Sequence, residues 1–371
     1  MLPPELVDDV VDNLADQVGK DDTRALLRLA LIARAWVPRS RFHSFASITL
    51  VRNRSRDTVR PFLHLLHAPA PGPTFAACVR AVHLRHRSAY GSPVLSAGDI
   101  LVALARAGIR PRHLRLECGF AQRGSPAALA ACGAFAQLTD LDILLTGKVV
   151  MDRVLAYLAP MGCLRRLSLE PMELVDNDDT GGRALPPTLR ELSIRDSALF
   201  SYWLDTNAPE PLPQLPPSLI FSGPFSHHYT ILERHVSLIH LPPRSKLTYY
   251  GWYPTVNILS IPSAVEHVCF QDNLDFAILY ASNILTRTRV PDGLRVVQFR
   301  PDVGQVLDSC RDIWTAFDLQ MVALQASRKQ QHPVTIVVGD DSEPISDALW
   351  DTVRSLMPLC TKQGTLTRAG S

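Results

Sequence analysis

A chain of 371 residues, 46% apolar and 20% charged, is long enough to bury a large core and sets an expectation of about two to three domains. Its 38 Lys and Arg nearly balance 36 Asp and Glu, and a net charge of +2 excludes bulk attraction to nucleic acid or to anionic membranes. Seven cysteines (78, 118, 132, 163, 269, 310 and 360), odd in number and never spaced CxxC, argue against a disulfide framework or a zinc site. They point instead to reduced thiols in a cytoplasmic and/or nuclear protein. The chain shows no secretory leader pattern, and no run approaches the roughly 18 apolar residues of a membrane span. Its 29 prolines predict short, punctuated elements.

The opening "LPPELVDDVVDNL" reads as a helix from residue 3. Pro3 and Pro4 suit the first turn, and Glu5, Asp8 and Asp9 lie near the positive end of the helix dipole. Leu6, Val7, Val10, Val11 and Leu14 fall on one apolar stripe. After a polar turn at 18–20, Asp21 or Asp22 can cap a second helix carrying Leu26, Leu29, Ala30, Ala33 and Trp36, and Pro38 stops it. A third short helix carries Phe42 and Phe45, and Ile48–Val51 reads as a strand. A bundle this short buries little area and calls for a partner surface or a neighbouring domain. Helix packing within the chain accounts for the same stripe equally simply.

The order LPxE, aliphatic helix, polar gap and "LLRLALIARAW" resembles an F-box domain, with wording similar to F-box proteins of mushroom-forming fungi. The resemblance covers residues 2–50. It departs in lacking the C-terminal tryptophan, for which Phe45 is the substitute. It implies docking on a Skp1-type adaptor, and through it a cullin. The residues implied are Leu2, Pro3, Pro4, Leu6, Val7, Val10, Val11, Leu14, Leu29, Ala33, Trp36, Phe42 and Phe45.

Beyond a linker at 51–74, strand-like phrases recur, among them "VRAVHLRH", "RHLRLEC", "LTDLDILL", "LRRLSLE", "LRELSIRD", "SLIFSG", "VEHVCFQD", "LRVVQFR" and "VTIVVGD". Leu116 to Ile143 is 27 residues, Ile143 to Leu169 is 26, and Leu169 to Ile194 is 25. Such a period is the signature of a solenoid, and leucine-rich repeats run about 20–29 residues. "LRRLSL" and "LRELSI" fit LxxLxL, but the later Asn is missing, so the repeats are irregular. Helical stretches at 97–108, 152–162 and 310–327 alternate with the strands, which implies parallel pairing. Between Ile194 and Val268 two or three degraded repeats are expected.

Chemistry-bearing motifs are sparse. His227, His228, His235 and His240 have no Cys or carboxylate at ligand spacing, and "TGGR" lacks the frame of a phosphate loop. "GDDSE" follows a strand, yet Asp341 or Ser342 serves equally as the cap of "DALWDTVRSL". The arginine-rich stretch 80–115 suits phosphates, an acidic partner or simply a solvated face. Along each strand, residues flanking the apolar pair belong to the outer face. Those positions are His83, Arg85, Arg115, Glu117, Asp140, Asp142, Arg166, Ser168, Glu170, Glu191, Ser193, Arg195, Cys269, Gln271, Gln298 and Arg300. Their mixed charge suits a protein surface, although any exposed strand face must be polar.

The expectation is therefore an α/β chain. A three-helix F-box-like unit at 1–50 precedes an irregular leucine-rich-repeat-like solenoid with a curved parallel sheet at 75–371. It would be the non-enzymatic substrate receptor of an SCF-type ubiquitin ligase, without cofactor or metal, holding a target protein on the solenoid. The alternative is a protein-interaction scaffold outside any ligase. A hydrolase or nuclease using Asp340 and Asp341 lacks a partner constellation.

Overall fold

Alternating apolar residues on consecutive strands set the architecture. The computed structural model describes residues 4–18, 28, 36–53, 55–66, 75–86, 95–119, 125–149, 151–174, 185–194, 215–222, 242, 244–250, 261, 264–287, 290–301, 310–328, 333–340 and 345–370. The chain is α/β and divides into two units: residues 1–167 with 171–188, and residues 168–170 with 189–371.

In the first unit, helices α1 (Pro4–Val18) and α2 (Val37–Ala46) lead into β1 (Ser47–Arg52). Helix α3 (Val59–Leu66), β2 (Ala81–His86), α4 (Ala97–Arg106) and β3 (His113–Gly119) follow. Then come α5 (Ser125–Cys132), β4 (Asp140–Val149), α6 (Met151–Leu158) and β5 (Arg166–Leu174), which straddles the division. Each strand lies beside the next in chain order. β1–β2, β2–β3 and β3–β4 pair parallel, aligning Ile48, Val82, Leu114 and Leu141 in one buried row and Leu50, Leu84, Leu116 and Ile143 in another. Each such side chain contributes about 1.5–3 kcal/mol of burial. Along these rows the strand-to-strand step is 34, 32 and then 27 residues, so only the last falls within the period read from the sequence.

Helix α4 shows how the connections are fixed. The Ser96 hydroxyl accepts the Asp99 N–H at 3.1 Å, and the Asp99 carboxylate accepts the Ser96 N–H at 2.9 Å, a capping box. Ile100, Leu101 and Leu104 face the core. Gly98 is required by close approach, because a Cβ there would stand 2.8 Å from the Ala127 carbonyl carbon of α5.

The second unit carries β6 (Glu191–Ile194), β7 (Ser218–Ser222), β8 (Ser245–Tyr250) and β9 (Val265–Asp272). Helix α7 (Leu274–Arg287), β10 (Val296–Pro301), α8 (Arg311–Ser327) and β11 (Thr335–Val338) follow, then α9 (Asp347–Leu356), α10 (Pro358–Gln363) and β12 (Leu366–Arg368). These strands also pair parallel in chain order. The buried row runs Leu219, Leu247, Val268, Val297, Ile336. Beside it Tyr249, Phe270 and Phe299 stack at 5.6 and 5.8 Å, and Phe317 of α8 meets Phe299 edge-on at 5.5 Å.

Several expectations change. Residues 51–74, expected as a linker, include α3 with Val59, Leu63 and Leu66 buried. Strands β8 and β12 and helices α5 and α7 were not anticipated. The cap of α9 is Ser346, which accepts the Leu349 N–H, rather than Asp341 or Ser342, which lie outside the described residues. The expected second helix also lies outside them, except Arg28 and Trp36. Among the described residues no helix is long and apolar enough to cross a membrane.

Candidate functional site

The first candidate surface is the α1 stripe. Val11 is fully buried and Leu14 half-buried, whereas Leu6 and Val10, one turn apart, are 50% and 46% exposed. The helix is held in this orientation by Asp12. Its carboxylate accepts two hydrogen bonds from the Arg39 guanidinium, one of them 2.5 Å from Nε, and pairs with His43 Nε2 at 2.8 Å. Arg39 and His43 stand four residues apart on one face of α2. The hydrogen bonds from Arg39, aided by His43, bring the Asp12 pKa down to about 2 although burial opposes them. This triad was not anticipated; the i, i+4 spacing of the basic Arg39 and His43 on α2 is its only sequence signal.

The aromatic residues of α2 are engaged within the chain. Arg39 and Arg80 each lie 4.9 Å from the Phe42 ring centroid, and Phe45 stacks on Phe75 at 4.5 Å. Trp36 is half-buried. Leu2, Pro3, Leu29 and Ala33 lie outside the described residues, as do the side chains of Pro4 and Val7. Of the thirteen residues that the F-box resemblance implicates, the structure brings Leu6 and Val10 to the surface and turns Val11 inward.

The second candidate is the outer face of β2, β3 and β4. Parallel register sets Arg115 between His83 and Asp142, and Arg85 beside Glu117. Glu117 is 8% exposed and gathers the cluster: His83 Nε2 lies 2.8 Å from Oε1, Arg85 Nε 2.9 Å from Oε2 and Arg115 Nε 3.2 Å from Oε1. Arg115 Nε also lies 3.5 Å from Asp142, and it is too poorly aligned with either carboxylate for a hydrogen bond. Burial alone would raise the Glu117 pKa; the His83 hydrogen bond and the charges of His83, Arg85 and Arg115 hold it below its ordinary value. A second hub is Asp140, which pairs with His113 Nδ1 at 3.1 Å and with Arg166 Nε. The arrangement fixes a mixed-charge surface whose cations remain half-exposed, suited to a complementary polar surface.

The outer face of the second unit differs. Ser168, Glu170, Ser193 and Gln271 are half-buried. Gln298, expected on an exposed face, is 6% exposed, and Cys269 and Thr248 are buried with it. Gln298 donates from Nε2 to the Gly339 carbonyl at 2.8 Å, and its Oε1 lies 3.0 Å from His267 Nε2 and 3.4 Å from Lys246 Nζ. Burial, with the charge of Lys246, lowers the His267 pKa to about 4. Arg300 pairs with Asp340 at 3.2 Å. Arg195, His227, His228, His235 and His240 lie outside the described residues. Among the described residues no group of three or more His, Cys, Asp or Glu is placed to hold a metal ion.

No protein-family model matches the chain. No curated protein matches it either.

Proposed function

We propose that the chain is the substrate-recognition subunit of an SCF-type ubiquitin ligase. Its N-terminal helices dock on a Skp1-type adaptor, and irregular leucine-rich-repeat-like units hold a target protein. The observation that carries this reading is the divided stripe of α1: Val11 is used inside the chain, while Leu6 and Val10 are left for a partner. The mixed-charge face around Glu117 supports target binding, and the 27-, 26- and 25-residue steps onto parallel strands support the repeat assignment. On this reading the protein is not an enzyme. It works by proximity, presenting the target to catalytic subunits in the cytoplasm or nucleus. A protein-interaction scaffold on the same framework is the alternative.

Capture of a purified Skp1-type adaptor tests the choice. Leu6→Ala with Val10→Ala should weaken capture more than tenfold, since apolar anchors at an interface centre cost about 2 kcal/mol each. The same pair should change stability by less than about 0.5 kcal/mol, as exposed positions do. Val11→Ala should instead destabilise α1 by about 1–2 kcal/mol through lost burial. Unaltered capture by the Leu6/Val10 variant would count against adaptor docking and leave the scaffold ahead.

A further inference from the structure

The N-terminal ends of β3 and β4 and the turn leading into β5 frame a depression of about 640 Å3, within the range of ligand sites. Its charge is uneven. Arg166 and His113 are bound to Asp140, which also accepts the Thr139 hydroxyl at 2.6 Å. Arg112 and Arg165 line the same depression, are exposed and have no side-chain partner among the described residues. The backbone fixes their separation. The Thr139 N–H donates to the Arg112 carbonyl at 2.9 Å, and the Thr139 carbonyl accepts the Arg165 N–H at 2.8 Å. The two arginines thus flank Thr139 across two strand spacings of about 4.8 Å each. Over that gap two guanidinium forks can close on one anion.

We propose that this pocket binds a phosphomonoester, clamped between Arg112 and Arg165. The charges match, because two unpaired guanidiniums face a group of about −1.5 to −2 at neutral pH. So does the shape, because each planar fork presents paired N–H donors to phosphate oxygens. The charge of Asp140 is offset by its ion pair with Arg166, so it does not turn the pocket against an anion. A single depression on a chain of net charge +2 holds one such group rather than tracking a nucleic-acid backbone. The assignment does not rest on adaptor docking.

Cys163 lines the depression and is exposed, so its alkylation reads occupancy. The full chain is treated with iodoacetamide at fixed ionic strength, and the Cys163 peptide is followed by mass spectrometry. Inorganic phosphate and a phosphoserine peptide with neutral flanks should each slow the reaction saturably. Arg112→Gln with Arg165→Gln should raise the half-protecting concentration about tenfold or more, the scale of lost charge-assisted hydrogen bonds. Arg112→Lys with Arg165→Lys keeps the charge and should retain part of the protection, which guards against a folding defect in the Gln pair. Stronger protection by the peptide places the ligand on a protein, and equal protection places it on a free phosphate ester; both sustain the site. Non-saturable protection, equal protection in the Gln pair, or glutarate as effective as phosphate would each overturn it.

Discussion

Strands β2–β4 and β8–β10 share a parallel register and a buried aliphatic row, yet treat their second face differently. On β2–β4 the aliphatic residues turn inward and His83, Arg85, Arg115 and Asp142 turn outward and stay part-exposed, gathered around Glu117, the one buried outward residue of the cluster. On β9 and β10 three consecutive residues are buried, Val268–Cys269–Phe270 and Val297–Gln298–Phe299, as expected of a parallel strand covered on both sides. Outward positions thus carry part-exposed charges around one buried carboxylate in the first unit, and buried uncharged residues such as Cys269 and Gln298 in the second.

The largest expected effect breaks the second unit alone. Trp314 of α8 is fully buried and donates from Nε1 to Asp275 at 2.8 Å. Trp314→Ala should cost about 3–5 kcal/mol through cavity formation and lost transfer energy. In a urea titration the transition of the second unit should move to lower denaturant while that of the first holds its midpoint. A common shift of both would show that the two units are not separately stable.

A smaller effect compares the two outer faces directly. Gln298→Leu removes the acceptor shared by His267 and Lys246 and the donor to Gly339, in a buried setting. The expected cost is about 1–3 kcal/mol. Glu117 is equally buried, but Glu117→Gln keeps an acceptor for His83 and its cationic partners Arg85 and Arg115 are half in water, so a smaller cost of about 1 kcal/mol is expected. Chemical denaturation of both variants checks the ranking, and a larger loss at Glu117 would reverse the distinction between the faces.

Much of the sheet was legible because an apolar pair alternating with polar residues leaves a clear trace, as at Leu114/Leu116 and Leu167/Leu169. The trace fails for physical reasons. The "SKLTYY" of β8 carries its inward residues among polar and aromatic neighbours, and three-residue β12 is too short for a period. Helix α5, "SPAALAAC", is nearly all small and apolar, so no stripe distinguishes one face. At the candidate site the Arg115–Glu117 pairing could be placed on one face from strand geometry. The burial of Gln298 could not, because what covers a second face is set by tertiary structure. Nor could the Arg112–Arg165 pocket, whose two arginines are brought together only by strand order.

Acid should separate the buried histidines of both units from the α1 ion pair in sequence of loss. The folded His267 pKa, about 4, lies below the ordinary 6.5, so the unfolded chain takes up the proton first. Stability from this group is full above pH 6.5 and falls as pH drops toward 4. Buried His86 in the first unit is shifted in the same direction, so β2 shares this first step. Asp12 behaves later. Its folded pKa of about 2 lies below 3.8, so its contribution persists above 3.8 and is lost only as pH falls toward 2. That pair is part-exposed and is worth less than about 1 kcal/mol, the smallest effect expected here. Imidazole resonances followed by NMR from pH 7 to 2, with amide exchange of α1, read both steps. His267 should titrate near pH 4, and α1 should keep its protection until Asp12 is protonated; earlier loss of protection in α1 would show that Asp12 does not secure it.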